Sequence, residues 1–270
     1  MAAAELRMAD SLPHMALPTL TSDDKTRMES QELMRAAILL ARAGLHKQAA
    51  QFFKAFTAKE DTPAAYYFAA HKAADLDLTN TALSIAKQAT NKGMFLTAQS
   101  YPVITGNMRG VNLEWALVHS IIRQESMFDT AAQSPAGALG LMQLMPATAR
   151  EVAGKAGLSY SHLRLTSDPS YNITLGSSYL GRLLKRYDGS YPLAIAAYNA
   201  GPGRVDQWIK TFGDPRIGQV SLIDWIELIP IYETRNYVQR VMEAVYIYRL
   251  RLHDQQPRVS APLHVAQAQP

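Results

Sequence analysis

Glu125 occupies a position whose surroundings call for chemistry. Leu113, Leu117 and Ile121 precede it at four-residue steps, with Val118 and Ile122 beside them, the pattern of a buried helix face. The next position on that face is a carboxylate. A carboxyl group at the end of an apolar stripe is costly to ionise, so its pKa rises, and a general acid working near neutral pH needs a raised pKa. Periodicity alone favours a glutamate that has merely reached the solvated end of its helix, where most glutamates lie. Paired carboxylates are the usual equipment for cleaving glycosidic bonds. Asp129, one turn further on, is poorly placed as the second acid, because two acids on one turn cannot easily straddle a sugar ring. Glu227 and Glu233 are further candidates that the sequence alone does not bring close.

Other chemistries find little support. The seven histidines show no H-x-x-x-H pair, which argues against a zinc site. His119, six residues before Glu125, falls on another face and reads as a core or surface histidine. Nucleophile elbow, P-loop and dinucleotide fingerprint are all missing. The chain has no cysteine, which removes disulfides and thiol catalysis. A net charge of +4 mildly favours an anionic partner, but without a dense Lys/Arg run nucleic acid is not expected. No apolar run reaches transmembrane length, and the N-terminus lacks the pattern of a secretory signal.

The elements that must position Glu125 read as helices throughout the 270 residues. Residues 1–28 lack periodicity and are expected to form a mobile arm. Residues 29–104 read as paired helices: Glu32 to Ala43, closed by Gly44; His46 to Phe56; one opened by Pro63; and Thr79 to Thr90. Leu45, Ala49 and Phe52 align with Leu78, Ala82 and Ile85 at an offset of about 33 residues. Either a solenoid-type repeat or a plain bundle accounts for that. The stretch YPVITGNMRG marks a boundary, and the Glu125 helix starts after it. AAQSPAGALG reads as a loop returning toward the end of that helix, and Pro146 opens the next one. Asp168-Pro169 starts a helix running to about Tyr187. PLAIAAYNAG is a short helix with Tyr198 and Asn199 in its last turn, and a long helix runs from about Glu233 to Leu252. The tail, residues 253–270, is polar, contains proline and is expected to be disordered.

Three blocks in this order, RQESMFDTAAQSPAGALGLMQLMPATA, AYNAGPGRV and ELIPIYETRNYVQRVM, resemble the catalytic domain of the bacterial soluble lytic transglycosylases, the goose-lysozyme-like SLT family. The resemblance covers roughly residues 113–250. It implies an all-α chain in which a lysozyme-like catalytic domain, residues 105–252, follows a small helical module of linker or superhelix type, residues 29–104. By the same resemblance Glu125 matches the single catalytic acid/base, and Ser134 a residue lining the glycan groove beside it. Gln143 and Met145 match residues contacting the sugar next to the scissile bond. Tyr198 and Asn199 match residues that pack near and orient the carboxyl, and Glu233 a groove position facing the peptide stems.

The implied reaction cleaves the β-1,4 bond between N-acetylmuramic acid and N-acetylglucosamine in peptidoglycan glycan strands and leaves a 1,6-anhydromuramoyl end. One residue serves as acid and then as base, so no second acid, metal or organic cofactor is called for. A periplasmic location follows from the substrate. Two rivals remain: a goose-type hydrolase of the same bond, for which Asp129 is the feature to watch, and a non-catalytic glycan-binding protein.

Overall fold

The computed structural model describes residues 17–104 and 112–252. The expected tail and most of the expected N-terminal arm lie outside the described residues. The chain divides into two compact units, one of residues 1–104 with Met127–Asp129, the other of residues 105–126 and 130–270. Among the described residues every regular element is helical, apart from two isolated bridges, Gln133 with Leu139 and Leu139 with Leu144.

The first unit contains α1 (Ser22–Ser30), α2 (Glu32–Arg42), α3 (His46–Glu60), α4 (Pro63–Asp75), α5 (Thr79–Thr90) and the short α6 (Thr97–Ser100). Helix α1 corrects the expected arm over residues 22–28 alone. Thr21 and Asp24 form a reciprocal capping box, each side chain accepting from the other's backbone N–H, which satisfies donors a helix start otherwise leaves open. Helices α2–α3 and α4–α5 form two hairpins whose turns are copies of one another. Leu45 N–H donates to Leu40 O, and Leu78 N–H to Ala73 O, both at 2.9 Å. The capping residues Leu45 and Leu78 share φ and ψ within a degree. Gly44 takes φ +76° for this turn, and Asp77 takes the same left-handed conformation at φ +59° without glycine's freedom. The 33-residue offset is therefore a repeat in the backbone. Met34, Ala37, Ala49, Phe53, Phe56, Phe68 and Ile85 fill the unit's core.

The second unit contains α7 (Trp115–Ser126), α8 (Pro146–Lys155), α9 (Arg164–Ser167), α10 (Pro169–Arg186), α11 (Tyr191–Ala200), α12 (Pro202–Phe212), a 3₁₀ turn at Pro215–Ile217, α13 (Leu222–Glu227) and α14 (Tyr232–Leu252). Proline occupies the first turn of α8, α10, α11 and α12, where a missing N–H costs nothing. Helix α11 is apolar all round, with Leu193 to Ala197 fully buried, and packs against α10, α12 and α14. Helix α7 lies along α14. Its buried residues run without a break from Ala116 to Ile122, His119 included. His119 is a core histidine: its Nδ1 lies 2.8 Å from Trp115 O, its ring packs on Tyr248, and burial pulls its pKa down to about 4. Leu113 precedes the helix, so the buried stripe begins one turn later than its spacing suggests.

Candidate functional site

Glu125 is the penultimate residue of α7 and is partly buried. The Tyr237 hydroxyl, from α14, donates to its Oε1 at 2.6 Å. That bond favours the carboxylate and pulls the pKa down. Burial outweighs it and, with the nearby charge of Glu233, raises the pKa to about 7. A position in the last turn also sets the carboxylate against the negative end of the helix dipole. Oε2 has no hydrogen-bond partner among the described residues. The arrangement is a carboxyl group that holds or releases one proton near neutral pH, with one oxygen free to meet a ligand.

Tyr198 is also deeply placed near this carboxyl. Burial first, and then the charge of Glu125, push the phenol pKa well above its ordinary value. Its hydroxyl, however, donates to Met142 O at 2.8 Å and not to Glu125. The group that holds the acid is Tyr237, which the sequence reading did not single out. Its only sequence signal is a place one turn after Glu233 on the same helix face, since residues four apart are neighbours there. Asn199 is exposed at the end of α11, and its Oδ1 accepts from Thr234 Oγ1 at 2.7 Å, tying α11 to the first turn of α14. Glu233 is exposed and close enough for its charge to reach Glu125. Asp129 belongs to a segment that groups with the first unit.

The loop from 132 to 145 is built from small residues because it folds tightly on itself. Ser134 Oγ accepts from Ala138 N–H at 3.0 Å, and the backbones of Ser134 and Ala138 pair as well. Ser134 thus closes a turn and makes no hydrogen bond to Glu125. Gln143 has φ +45°, and its Nε2 donates to Gly140 O at 2.9 Å and Ala132 O at 3.2 Å, bracing the loop from inside. Met145 is 43% exposed at the cap position of α8, an apolar side chain left in solvent beside this loop.

The loop is fastened to α10 by Asn172, a fully buried residue also absent from the sequence reading. Its Oδ1 accepts from Met142 N–H at 2.8 Å, and its Nδ2 donates to Leu139 O and Leu165 O, both at 2.9 Å. A Cβ on Gly140 would stand 2.0 Å from Leu165 O, and one on Gly176 would stand 2.4 Å from Met142 Sδ. Only glycine allows the approach at either place. This fastening fixes the Met142 carbonyl that receives Tyr198. Among the described residues no cluster of three or more His, Asp or Glu side chains is arranged to hold a metal.

The family model described as Transglycosylase SLT domain matches residues 102–220, which include the Glu125 carboxyl and the loop beside it. Over these residues the chain is similar to that family. The chain is 35% identical over 153 residues to the soluble lytic murein transglycosylase of Escherichia coli, covering 56% of this chain and 23% of that protein. It is 34% identical over 139 residues to membrane-bound lytic murein transglycosylase D of the same organism, covering 52% of this chain and 29% of that one. Among solved structures, an inactive Glu-to-Gln mutant of the lytic transglycosylase Slt from Pseudomonas aeruginosa matches with TM-score 0.79 at 30% identity, over 95% of this chain and 41% of that one. The 70 kDa soluble lytic transglycosylase of Escherichia coli matches with TM-score 0.79 at 25% identity, over 93% of this chain and 40% of that one. The chain spans about a quarter of the length of the curated relatives it matches first.

Proposed function

We propose that this chain is a peptidoglycan lytic transglycosylase that cleaves the β-1,4 bond between N-acetylmuramic acid and N-acetylglucosamine without consuming water. The observation that carries the reading is Glu125: one partly buried carboxyl, held through one oxygen by Tyr237, with its pKa at about 7. Protonated, Glu125 donates to the glycosidic oxygen as the C1–O bond breaks, and the N-acetylglucosamine side leaves as the free alcohol. The substrate's own N-acetyl group stabilises the oxocarbenium-like centre, as in the substrate-assisted exceptions to the two-carboxylate scheme. Glu125, now a carboxylate, takes the proton of the muramic C6 hydroxyl as its oxygen closes onto C1. The proton count balances, and Glu125 returns to its starting state.

A pKa near 7 suits a group that serves as acid in one step and base in the next. Tyr237 keeps the carboxyl oriented in both states. Ser134, Gln143, Met145, Tyr198, Asn199 and Glu233 line the approach in this reading. Ser134 and Gln143 do so by shaping the loop, Met145 by offering an apolar contact, and Asn199 and Glu233 by framing the start of α14. Cell-wall turnover in the periplasm is where such a reaction finds its substrate. The Pseudomonas aeruginosa relative is described as inactive with a Glu-to-Gln exchange, which is the exchange to make at Glu125.

Mass spectrometry of purified peptidoglycan after digestion with the native chain tests the proposal. Muropeptides ending in 1,6-anhydromuramic acid are expected. Reducing muramic ends in their place would mean that water attacks C1 and that the chain is a hydrolase. No cleavage at all, with strands still bound, would leave the glycan-binding reading.

A further inference from the structure

The first turn of α14 carries two exposed side chains whose polar atoms make no hydrogen bond or ion pair with any described residue. Tyr232 is 69% exposed, the one strongly exposed aromatic ring among the described residues of the second unit. Its hydroxyl makes no hydrogen bond to any described residue. Glu233 beside it is exposed and has neither hydrogen bond nor ion pair, although Arg235 is only two residues away. The Arg235 guanidinium instead lies over the Tyr232 ring, 5.6 Å from its centroid, and donates through Nη1 to Glu227 O at 3.0 Å. One face of the ring is thereby steadied by a cation, at a distance where such contacts are attractive, while most of the ring remains in solvent.

Helix geometry relates these groups to the acid. Glu233 lies four residues before Tyr237, so it stands one turn away on the face that holds Glu125. Successive residues on a helix are about 100° apart. Thr234, which bonds Asn199, therefore flanks Glu233 on one side, and Tyr232 flanks it on the other. Ile223 on α13 and Leu228 at its end, both about half exposed, belong to the element that precedes this turn. A pyranose ring presents an apolar C–H face and an edge of hydroxyl and amide donors. An open aromatic face next to an unpaired carboxylate offers one partner for each.

We infer that Tyr232 and Glu233 form a saccharide subsite, in which the tyrosine ring stacks on the C–H face of a sugar in the glycan strand and Glu233 accepts a hydrogen bond from its edge. The inference rests on the glycan-cleaving reading given above and adds Tyr232 to it as a binding residue that sets where the strand lies. Arg235 acts through Tyr232 as a positioning residue.

Co-sedimentation with insoluble peptidoglycan tests this, using the full chain carrying Glu125→Gln so that strands are not consumed. Adding Tyr232→Ala should weaken binding about five- to tenfold, the range expected for losing one well-placed aromatic contact. Tyr232→Trp should keep binding within about twofold, because indole also stacks. Leu163→Ala, at a leucine 73% exposed on the loop before α9, controls for the loss of any exposed apolar group. Equal binding by the Tyr232→Ala chain, or an equal loss from Leu163→Ala, overturns the subsite. Product analysis of the native chain reports on the parent reading independently. Anhydromuramoyl ends with no Tyr232 effect remove the subsite alone, and a Tyr232 effect without those ends leaves a glycan-binding surface and removes the cleavage.

Discussion

Two glutamates stand at opposite ends of α7, and both face α14. Glu114 precedes the first turn, where its carbonyl accepts from Leu117 N–H and Val118 N–H. Its carboxylate receives Nε of Arg249 at 2.5 Å, Nη2 of the same residue at 2.7 Å, and the Tyr191 hydroxyl at 2.6 Å. Burial works against ionisation there too and is the largest influence on the group. The arginine and the two sets of hydrogen bonds overcome it, and the pKa lies below the ordinary glutamate range. Glu125, at the other end, has a tyrosine hydroxyl and no cation, and its pKa rises to about 7. The helix dipole favours an anion at the first end and opposes one at the second. The same residue type, on the same helix, becomes a fixed anion in one place and a proton switch in the other. A cation decides the difference, because a phenol alone does not repay the desolvation of a carboxylate.

The largest test of this contrast is to remove the switch. Glu125→Gln keeps the shape and an acceptor for Tyr237 but cannot donate or take the proton. Anhydromuramoyl product should form at least about 10³-fold more slowly, at the upper part of what one general acid/base contributes. A variant that retained a tenth of native turnover would move the chemistry to another group. The second test removes the cation from the other end. Arg249→Met leaves Glu114 buried with only Tyr191. Breaking a buried pair costs about 3–5 kcal/mol, and the partial exposure of Arg249 brings the expectation to about 2–3 kcal/mol, read from the urea midpoint at pH 7. The pH midpoint of cleavage should not move with it, because Arg249 bears on the other carboxyl. If it does move, the two ends of α7 are not independent.

The contrast was only half legible in the sequence, for a physical reason. Glu125 announced itself as a polar residue on an apolar stripe, a local signal, and the helix bounds followed from Pro146, Pro169 and Gly201, which act on their own neighbours. The all-helical fold was readable from the same kind of short-range pattern, whereas the 33-residue offset was visible only as an alignment that a repeat or a plain bundle would equally explain. The capping box at Thr21 and Asp24 was equally local and was overlooked, which is why α1 was read as an arm. Tyr237, Arg249 and Asn172 are of another kind. Tyr237 acts on a group 112 residues away, Arg249 on one 135 away and Asn172 on Met142, 30 away, and beyond the spacing of Tyr237 from Glu233 nothing in their immediate sequence marks them. The close contacts at Gly140 and Gly176 are also long-range facts, written in sequence only as two more glycines.

A third test reads the desolvation of Glu125 as stability. An acid whose pKa is higher in the folded than in the unfolded chain binds its proton more tightly when folded. Native stability therefore falls as pH rises from the ordinary glutamate pKa to about 7, and is level above that. Glu125→Gln has no proton to lose and escapes this fall. The two chains should have matching urea midpoints near pH 4, and the variant should be the more stable by about 2–3 kcal/mol at pH 8. Equal stabilities at both values would mean that the carboxylate is already well solvated when folded. A pKa near 7 would then have no cause.

The smallest effects separate the two neighbours that tune the switch, because they pull in opposite directions. Tyr237 donates to the carboxylate and stabilises its charged form, so Tyr237→Phe should raise the Glu125 pKa. Glu233 repels the charged form, so Glu233→Gln should lower it. In the proposed reaction the protonated acid acts first, so kcat/KM should fall as pH rises through this pKa. The alkaline limb should therefore move to higher pH in Tyr237→Phe and to lower pH in Glu233→Gln, each by a fraction of a unit to about one unit. Both substitutions also disturb the approach to the acid, so rates alone would not tell tuning from damage, whereas the opposite displacement of one limb would. The double variant should return the limb toward its native position if the two influences are independent. If both single variants shift it the same way, the proton being followed is not on Glu125.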